Sequence, residues 1–174
     1  GITHLATGAT KLIQHRDSVK FYLPHALWTV NVLVFILLIW WGLYWWSSHD
    51  NWYAYEYLFI TLYSVVLFFL AAMLYPWDMD RDIDIRAYFF RNRTWFFGAM
   101  FLAWCIDIPE TMVKAAADLR PLPQEYFLFI GLHMGMAITG LVTRNTIVHL
   151  LLPICWFVLT VYYVLMSTLG QISG

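Results

Sequence analysis

Residues 21–46 read FYLPHALWTVNVLVFILLIWWGLYWW and contain no Asp, Glu, Lys or Arg. A transmembrane helix needs about 20 mainly apolar residues at about 1.5 Å per residue, and this stretch exceeds that length. Further stretches that are long and apolar enough, or nearly so, are residues 52–75, 94–113, 124–142 and 147–169. The repetition predicts an all-α, polytopic integral membrane helical bundle that forms one transmembrane domain over residues 1–174.

The composition agrees with that prediction. Hydrophobic residues make up 61% of the chain and charged residues 12%, whereas soluble domains average about 45–50% and about 25%. The net charge of −1 gives no general attraction to nucleic acid. We therefore expect the lipid bilayer and other membrane proteins, or further copies of the chain, as partners, and no nucleic acid.

Residues 1–14, GITHLATGATKLIQ, predict the end of another helix that runs into a basic connection. As a helix they would cover about 21 Å, which is short of a hydrocarbon core of roughly 30 Å. We therefore expect a truncated first transmembrane helix that begins upstream of Gly1. With it, the bundle has about six transmembrane helices.

Basic residues crowd onto alternate connections, which predicts the orientation of the chain. Eight of the ten Lys and Arg residues lie on or beside connections 15–20, 76–93 and 143–146, namely Lys11, Arg16, Lys20, Arg81, Arg86, Arg91, Arg93 and Arg144. The positive-inside rule assigns these three connections to the cytoplasm.

The connection 76–93, PWDMDRDIDIRAYFFRNR, is the longest of the three. Residues 82–93 predict a short amphipathic helix, because Ile83, Ala87 and Phe90 share one face and suit the membrane interface. A calcium loop is the alternative for the alternating aspartates. The stretch lacks the Gly and the Glu that such a loop needs at its sixth and twelfth positions, so a solvated cap is favoured.

Three stretches resemble a recurring signature of a family of small, uncharacterised bacterial inner-membrane proteins with six helices. They are GITHL at 1–5, VKFYLPHALW at 19–28 and DIRAYFFRNRTWFFG at 84–98. The resemblance implies a multi-pass protein of the bacterial inner membrane whose first helix starts before Gly1. It implies no activity and no catalytic residues.

An acidic and basic stripe lies within an apolar segment. Asp107, Glu110 and Lys114 are spaced at i, i+3 and i+7, and Ala99 and Ala103 continue the same helical face. Small and polar residues favour contacts between helices over contacts with lipid. The stripe is therefore expected to face the interior of the bundle.

Helical rise places other polar groups near this stripe. His133, on the next segment, falls within about one helical turn of Asp107 in depth, and Glu56 reaches the same half of the membrane. An acid–histidine pair in a low dielectric can relay protons or hold a cation. Asp107, Glu110, His133 and Glu56 are thus proton- or ion-pathway candidates, with a direct or water-bridged hydrogen bond predicted between Asp107 and His133. The alternative is structural, with Glu110 and Lys114 forming a simple i,i+4 pair.

No spacing of residues predicts catalysis, metal binding or cofactor binding. His25 and His149 are weak haem candidates, since histidines on facing helices can ligate haem iron. They lack the repeated His spacing on one helix that would support that hypothesis. We expect no catalytic residue, no metal and no cofactor, with lipids as the expected small-molecule contacts.

Two further features predict contacts between helices. Asn31, midway along the second segment, is expected to hydrogen-bond to another helix. Gly131, Gly135 and Thr139 recur every four residues and allow another backbone to come close, either inside the bundle, which is favoured, or on a partner.

Two hypotheses of different classes follow. The first is a non-catalytic integral membrane subunit that packs with other membrane proteins in a larger assembly, which fits the short connections and the lack of a catalytic motif. The alternative is a small proton- or cation-coupled transporter or channel that uses Asp107, Glu110 and His133. A membrane enzyme is third, since no nucleophile or ligand set of recognised spacing appears, and a b-type haem protein is a further alternative that the sequence does not favour. The sequence narrowly favours the subunit.

Overall fold

The computed structural model describes residues 1–16, 19–49, 52–77 and 83–172. Apart from an isolated β-bridge between Lys20 and Asp84, the regular elements of these residues are all helical. A short 3₁₀ turn, Tyr44–Ser48, follows α2. The α-helices are α1 (Ile2–Gln14), α2 (Leu23–Leu43), α3 (Ala54–Leu74), α4 (Ile85–Ala116), α5 (Tyr126–Val142) and α6 (Thr146–Ile172).

The predicted all-α bundle is confirmed. Within the described residues, α2, α3, α4 and α6 are each long and apolar enough to cross a membrane. The shorter apolar α5 has 17 residues, which give about 26 Å of helix and place it at the lower limit for a span. Helices suit this role because each satisfies its own backbone hydrogen bonds where lipid offers no partners.

The structure differs from the prediction of a separate interfacial helix over residues 82–93. A single 32-residue helix, α4, begins at Ile85 and runs through this region into the membrane-spanning part. Asp84 caps it by accepting a hydrogen bond from the Ala87 amide at 2.8 Å. No proline or glycine interrupts residues 85–97, and Arg93, at the expected break, is buried against the bundle. The aspartates at 78, 80 and 82 lie outside the described residues.

Helix α4 is the centre of the bundle. It packs most extensively against α3 and α5 and also contacts α2, while α2 packs against α6. Aromatic rings fill the space between these helices. The Trp28 ring lies 5.2 Å from Phe97 and 5.5 Å from Trp156, and Trp156 lies 6.0 Å from Trp104 on α4. Three indole rings thus join α2, α4 and α6.

Buried basic side chains connect helices through backbone carbonyls. The His25 Nε2 donates to the Leu74 carbonyl at the end of α3, at 2.7 Å. His149 Nε2 donates to the carbonyl of Thr143 at 3.0 Å, and Arg93 donates to the same oxygen. The last carbonyls of a helix have no intrahelical donor. His25, His149 and Arg93 supply the missing hydrogen-bond donors, and these bonds hold α2, α4 and α6 in place.

The predicted contact of Asn31 is confirmed. Its side-chain amide donates to the Pro153 carbonyl of α6 at 2.9 Å. The favoured prediction for the glycine stripe, close packing inside the bundle, is wrong, because Gly131, Gly135 and Thr139 are exposed and the two glycines have open space before them. The stripe falls on the outward face of α5, since the opposite face is the one that packs against α4.

We predict that Gly140→Ala destabilises the bundle, whereas Gly131→Ala does not. A Cβ at Gly140 would lie 2.5 Å from ring carbons of Phe97, which forces a shift that costs about 1–3 kcal/mol. A Cβ at Gly131 meets nothing within 4 Å, and alanine is the better helix former. Thermal unfolding in detergent, followed by circular dichroism, checks both variants. Equal melting temperatures would contradict the close packing of α4 on α5.

Candidate functional site

Asp107 is held by two tyrosines from neighbouring helices. Its Oδ1 accepts a hydrogen bond from the Tyr63 hydroxyl of α3 at 2.5 Å, and its Oδ2 accepts one from the Tyr126 hydroxyl of α5 at 2.7 Å. Tyr126 also reaches the Asp107 backbone carbonyl, at 3.1 Å. A carboxylate has about four positions that can accept a hydrogen bond. This arrangement therefore suits the ionised form, and the carboxylate can still accept further hydrogen bonds.

Glu110 and Lys114 form a buried ion pair one turn further along α4. The Lys114 ammonium lies 2.8 Å from Glu110 Oε1 and donates to the Gly42 carbonyl at 3.1 Å. The Trp46 indole N–H donates to the same Glu110 oxygen at 2.7 Å. Both charged side chains are about 95% buried. The pair therefore fastens the end of α2 to α4, and its charges compensate each other.

Glu56 is not part of the Asp107 cluster. It accepts a hydrogen bond from the Tyr53 amide at 2.7 Å and so caps the start of α3. Its other contact is His49, whose Nε2 lies 3.1 Å from Oε1. The His49 ring packs edge-on against Trp46 at 5.5 Å. Glu56 thus reaches the Glu110 pair only indirectly, through aromatic side chains.

The direct form of the predicted Asp107–His133 hydrogen bond is wrong, because both ring nitrogens of His133 meet other partners. His133 Nδ1 donates to the Phe129 carbonyl at 2.9 Å, and Nε2 lies 3.1 Å from the Thr160 hydroxyl of α6. The residue of α4 that meets His133 is Trp104, with ring centroids 4.9 Å apart. His133 therefore lies about one helical turn from Asp107 along α4. The sequence predicted their depths only to within one turn, so it could not distinguish Asp107 from Trp104 as the neighbour of His133.

The inward orientation of the α4 stripe is confirmed. Ala103, Glu110 and Lys114 are at most 4% exposed and Ala99 is 8% exposed. Asp107 alone of the stripe is half-buried. It faces a cavity of about 700 Å³ between α2, α4, α5 and α6. The hydroxyl-bearing and charged side chains that line this cavity are Tyr44, Tyr63, Asp107, Glu110, Thr111, Lys114, Arg120, Tyr126, Thr160, Tyr163 and Ser167.

The haem candidates are engaged in other contacts. His25 and His149 each direct Nε2 at a backbone carbonyl, which can only accept, so that nitrogen carries the proton. Their rings pack against Tyr75 at 4.8 Å and Phe90 at 5.1 Å. This geometry gives the haem hypothesis no support. Nor do the described residues bring three His, Cys, Asp or Glu side chains together as a metal site requires.

Sequence reasoning missed Tyr63, Tyr126 and Trp46, the three neutral donors to the two acids. Trp46 lies at the end of an apolar stretch, where aromatic residues are typical of the membrane interface, so its position in the sequence does not single it out. Tyr63 carried a usable signal, since it lies mid-helix, seven residues after Glu56 and on the same face. A tyrosine buried at that depth needs a partner for its hydroxyl.

Comparison with known proteins adds no information on this site. No protein-family profile, curated protein sequence or solved structure matches this chain. The resemblance of residues 1–5, 19–28 and 84–98 to a bacterial inner-membrane family therefore stays a prediction.

We predict that Lys114→Met alone is strongly destabilising and that adding Glu110→Gln restores most of the loss. The single change leaves the Glu110 carboxylate buried without its cation, which costs about 3–5 kcal/mol, whereas a neutral pair avoids that cost. Denaturant unfolding in detergent measures both variants, with Lys20→Met as an exposed control. A double variant as unstable as the single one would contradict this account.

Proposed function

We propose that this chain is a small proton- or cation-coupled transporter in which Asp107 is the group that binds the transported charge. The observation that carries the proposal is the position of its carboxylate, half-buried in a membrane-spanning helix and bordering a cavity of about 700 Å³. Ionisable groups inside a membrane are costly and typically mark ion pathways.

The two tyrosines can support both the ionised and the protonated state of Asp107. In the ionised state both oxygens accept hydrogen bonds from Tyr63 and Tyr126. When a proton binds, the carboxyl group becomes a donor, and a tyrosine hydroxyl can turn to accept it, since a phenol is both donor and acceptor. Tyr126 suits this exchange, because its hydroxyl can accept the proton from Oδ2 while it directs its own hydrogen to the Asp107 backbone carbonyl, 3.1 Å away.

The other candidates have supporting roles in this proposal. Glu110 and Lys114 neutralise each other and fix α2 against α4. His133 positions α5 against α6 through Thr160, and Glu56 caps α3. The transport site is therefore narrower than the four-residue pathway predicted from the sequence.

The proposed location is the bacterial inner membrane, with connections 15–20, 76–93 and 143–146 in the cytoplasm. The concentration of basic residues on these connections supports this orientation. In that orientation the C-terminal end of α4 lies towards the outside. The cavity at Asp107 then belongs to the outer half of the membrane.

The second candidate is a non-catalytic subunit that packs with other membrane proteins or with further copies of the chain. The outward face of α5 favours it, because Gly131 and Gly135 have open space before them and Thr139 is exposed. Small residues at a spacing of four allow another helix to approach closely. Neither candidate requires a catalytic residue, a cofactor or a nucleic acid; lipids surround both.

We predict that Asp107→Asn lowers proton flux in liposomes at least tenfold while the bundle stays folded. Asparagine keeps the shape of aspartate but does not titrate; its carbonyl oxygen can still accept from one tyrosine, and its NH₂ group donates to the other if that hydroxyl turns to accept. It is no more costly to bury. A pH-sensitive dye inside the liposomes reports flux, and thermal unfolding reports the fold. Glu125→Gln is the matched control, because Glu125 is exposed and outside the cavity. A parent protein without flux would overturn the transport proposal and leave the subunit.

We predict that a cysteine at position 145 is protected from an impermeant thiol reagent in intact cells, whereas one at position 118 is labelled. Asn145 lies on a connection assigned to the cytoplasm and Asp118 on one assigned to the outside, and both are exposed. Cys105 and Cys155 are first replaced by serine, because both are exposed. The reverse labelling pattern would overturn the orientation.

A further inference from the structure

We propose that the cavity at Asp107 binds an amphipathic organic cation that enters from the lipid, between α2 and α6. This inference rests on the proposed function, because it names the class of substrate for the same carboxylate. It is carried by four observations: the size of the cavity, its charge balance, its aromatic walls and its lipid-facing border.

The size of the cavity points to an organic ligand. Its volume is about 700 Å³. A water molecule takes up about 30 Å³ of liquid, so a path for protons or bare metal ions alone needs far less space. Pockets for drug-sized organic molecules span about 300–1,000 Å³ and combine mainly apolar walls with a few placed polar groups.

The charge balance points to a cation. Glu110 and Lys114 compensate each other at 2.8 Å and are almost fully buried. Asp107 is half-buried, and among the described residues it has hydrogen bonds from tyrosines but no ion pair. A ligand that carries a positive charge would meet an acceptor whose charge is not balanced by a neighbouring side chain.

Besides Lys114, which is paired with Glu110, the cationic side chain of Arg120 lines the cavity. Its guanidinium lies over the Trp45 ring, 5.7 Å from the centroid, in the connection that follows α4. An anionic ligand would bind to the Arg120 guanidinium and not to the Asp107 carboxylate. The test below therefore compares a cation with an anion of the same shape.

Aromatic rings form much of the wall around Asp107. Trp41, Trp104, Phe129 and Tyr163 line the cavity, and Phe129 stacks on Tyr163 with centroids 4.0 Å apart. The faces of such rings attract cations, by about 2 kcal/mol or more where water is excluded. An organic cation suits this wall better than a neutral or anionic ligand does.

The border of the cavity faces lipid. Leu37 and Trp41 line the cavity, yet they are 48% and 73% exposed on the surface of α2. On α6 the lining residues Thr160, Val164 and Ser167 all follow Pro153, where α2 and α6 are joined by Asn31. Beyond that contact, α2 and α6 form the border of the cavity. A ligand dissolved in the membrane can enter the cavity laterally, between these two helices.

The test is binding of tetraphenylphosphonium and tetraphenylborate, two ions of similar shape and opposite charge, to the protein in nanodiscs. Empty nanodiscs correct for partition into lipid, and no ion gradient is applied. We expect the phosphonium to bind at least tenfold more tightly than the borate. Asp107→Asn should weaken phosphonium binding at least tenfold, and Glu125→Gln should leave it unchanged.

A second variant covers the case in which Asp107→Asn fails to fold. Leu38 lines the cavity, so Leu38→Trp reduces the volume of the cavity and keeps the Asp107 carboxylate. Leu33→Trp is the control, because it places the same ring on an exposed part of α2 outside the cavity. We expect tenfold weaker phosphonium binding for the first and no change for the second.

The outcomes separate this inference from the proposed function. Equal binding of the two ions, tighter binding of the borate, or binding that Asp107→Asn and Leu38→Trp leave unchanged would each overturn the inference. Proton flux that depends on Asp107, without phosphonium binding, would overturn the substrate class and leave transport standing. Selective phosphonium binding without flux would support the site and overturn transport.

Discussion

Carbonyl oxygens at the end of a helix need a hydrogen-bond donor, and lipid supplies none. This constraint explains where the chain places most of its buried basic side chains. Lys114 donates to Gly42 at the end of α2, and His25 donates to Leu74 at the end of α3. Thr143, after α5, receives two such donors. Because each donor lies on a different helix from the one whose end it serves, satisfying the backbone also fixes the helices against one another.

Asp107 is an exception to this use of polar side chains. Its carboxylate binds no backbone amide; it accepts hydrogen bonds from Tyr63 and Tyr126 and faces a cavity. Nearby, the Glu110–Lys114 pair is fully compensated and supports the end of α2. The same helix thus carries a structural pair and an available charge, three residues apart. That difference in surroundings, more than residue type, separates the proposed site from the framework.

Much of the framework could be predicted from the sequence. The apolar stretches, the inward stripe of α4 and the Asn31 contact all follow from hydropathy and helical period. The predictions that were wrong concern where one helix begins and which face of a helix packs against its neighbour. The separate helix at 82–93 merged with α4, since nothing in the chain breaks the helix there. Gly131 and Gly135 face outward, because a small-residue stripe does not reveal which side of α5 the bundle occupies.

The sequence by itself determined the class of the protein, the positions of its apolar helical segments, and the face of α4 that turns inward. These properties depend on local hydropathy and on a period of about 3.6 residues. Only the tertiary structure decided that Asp107 meets two tyrosines while His133 meets Trp104. That choice depends on the rotation and depth of neighbouring helices to within one turn, about 5.4 Å, and packing between helices sets both.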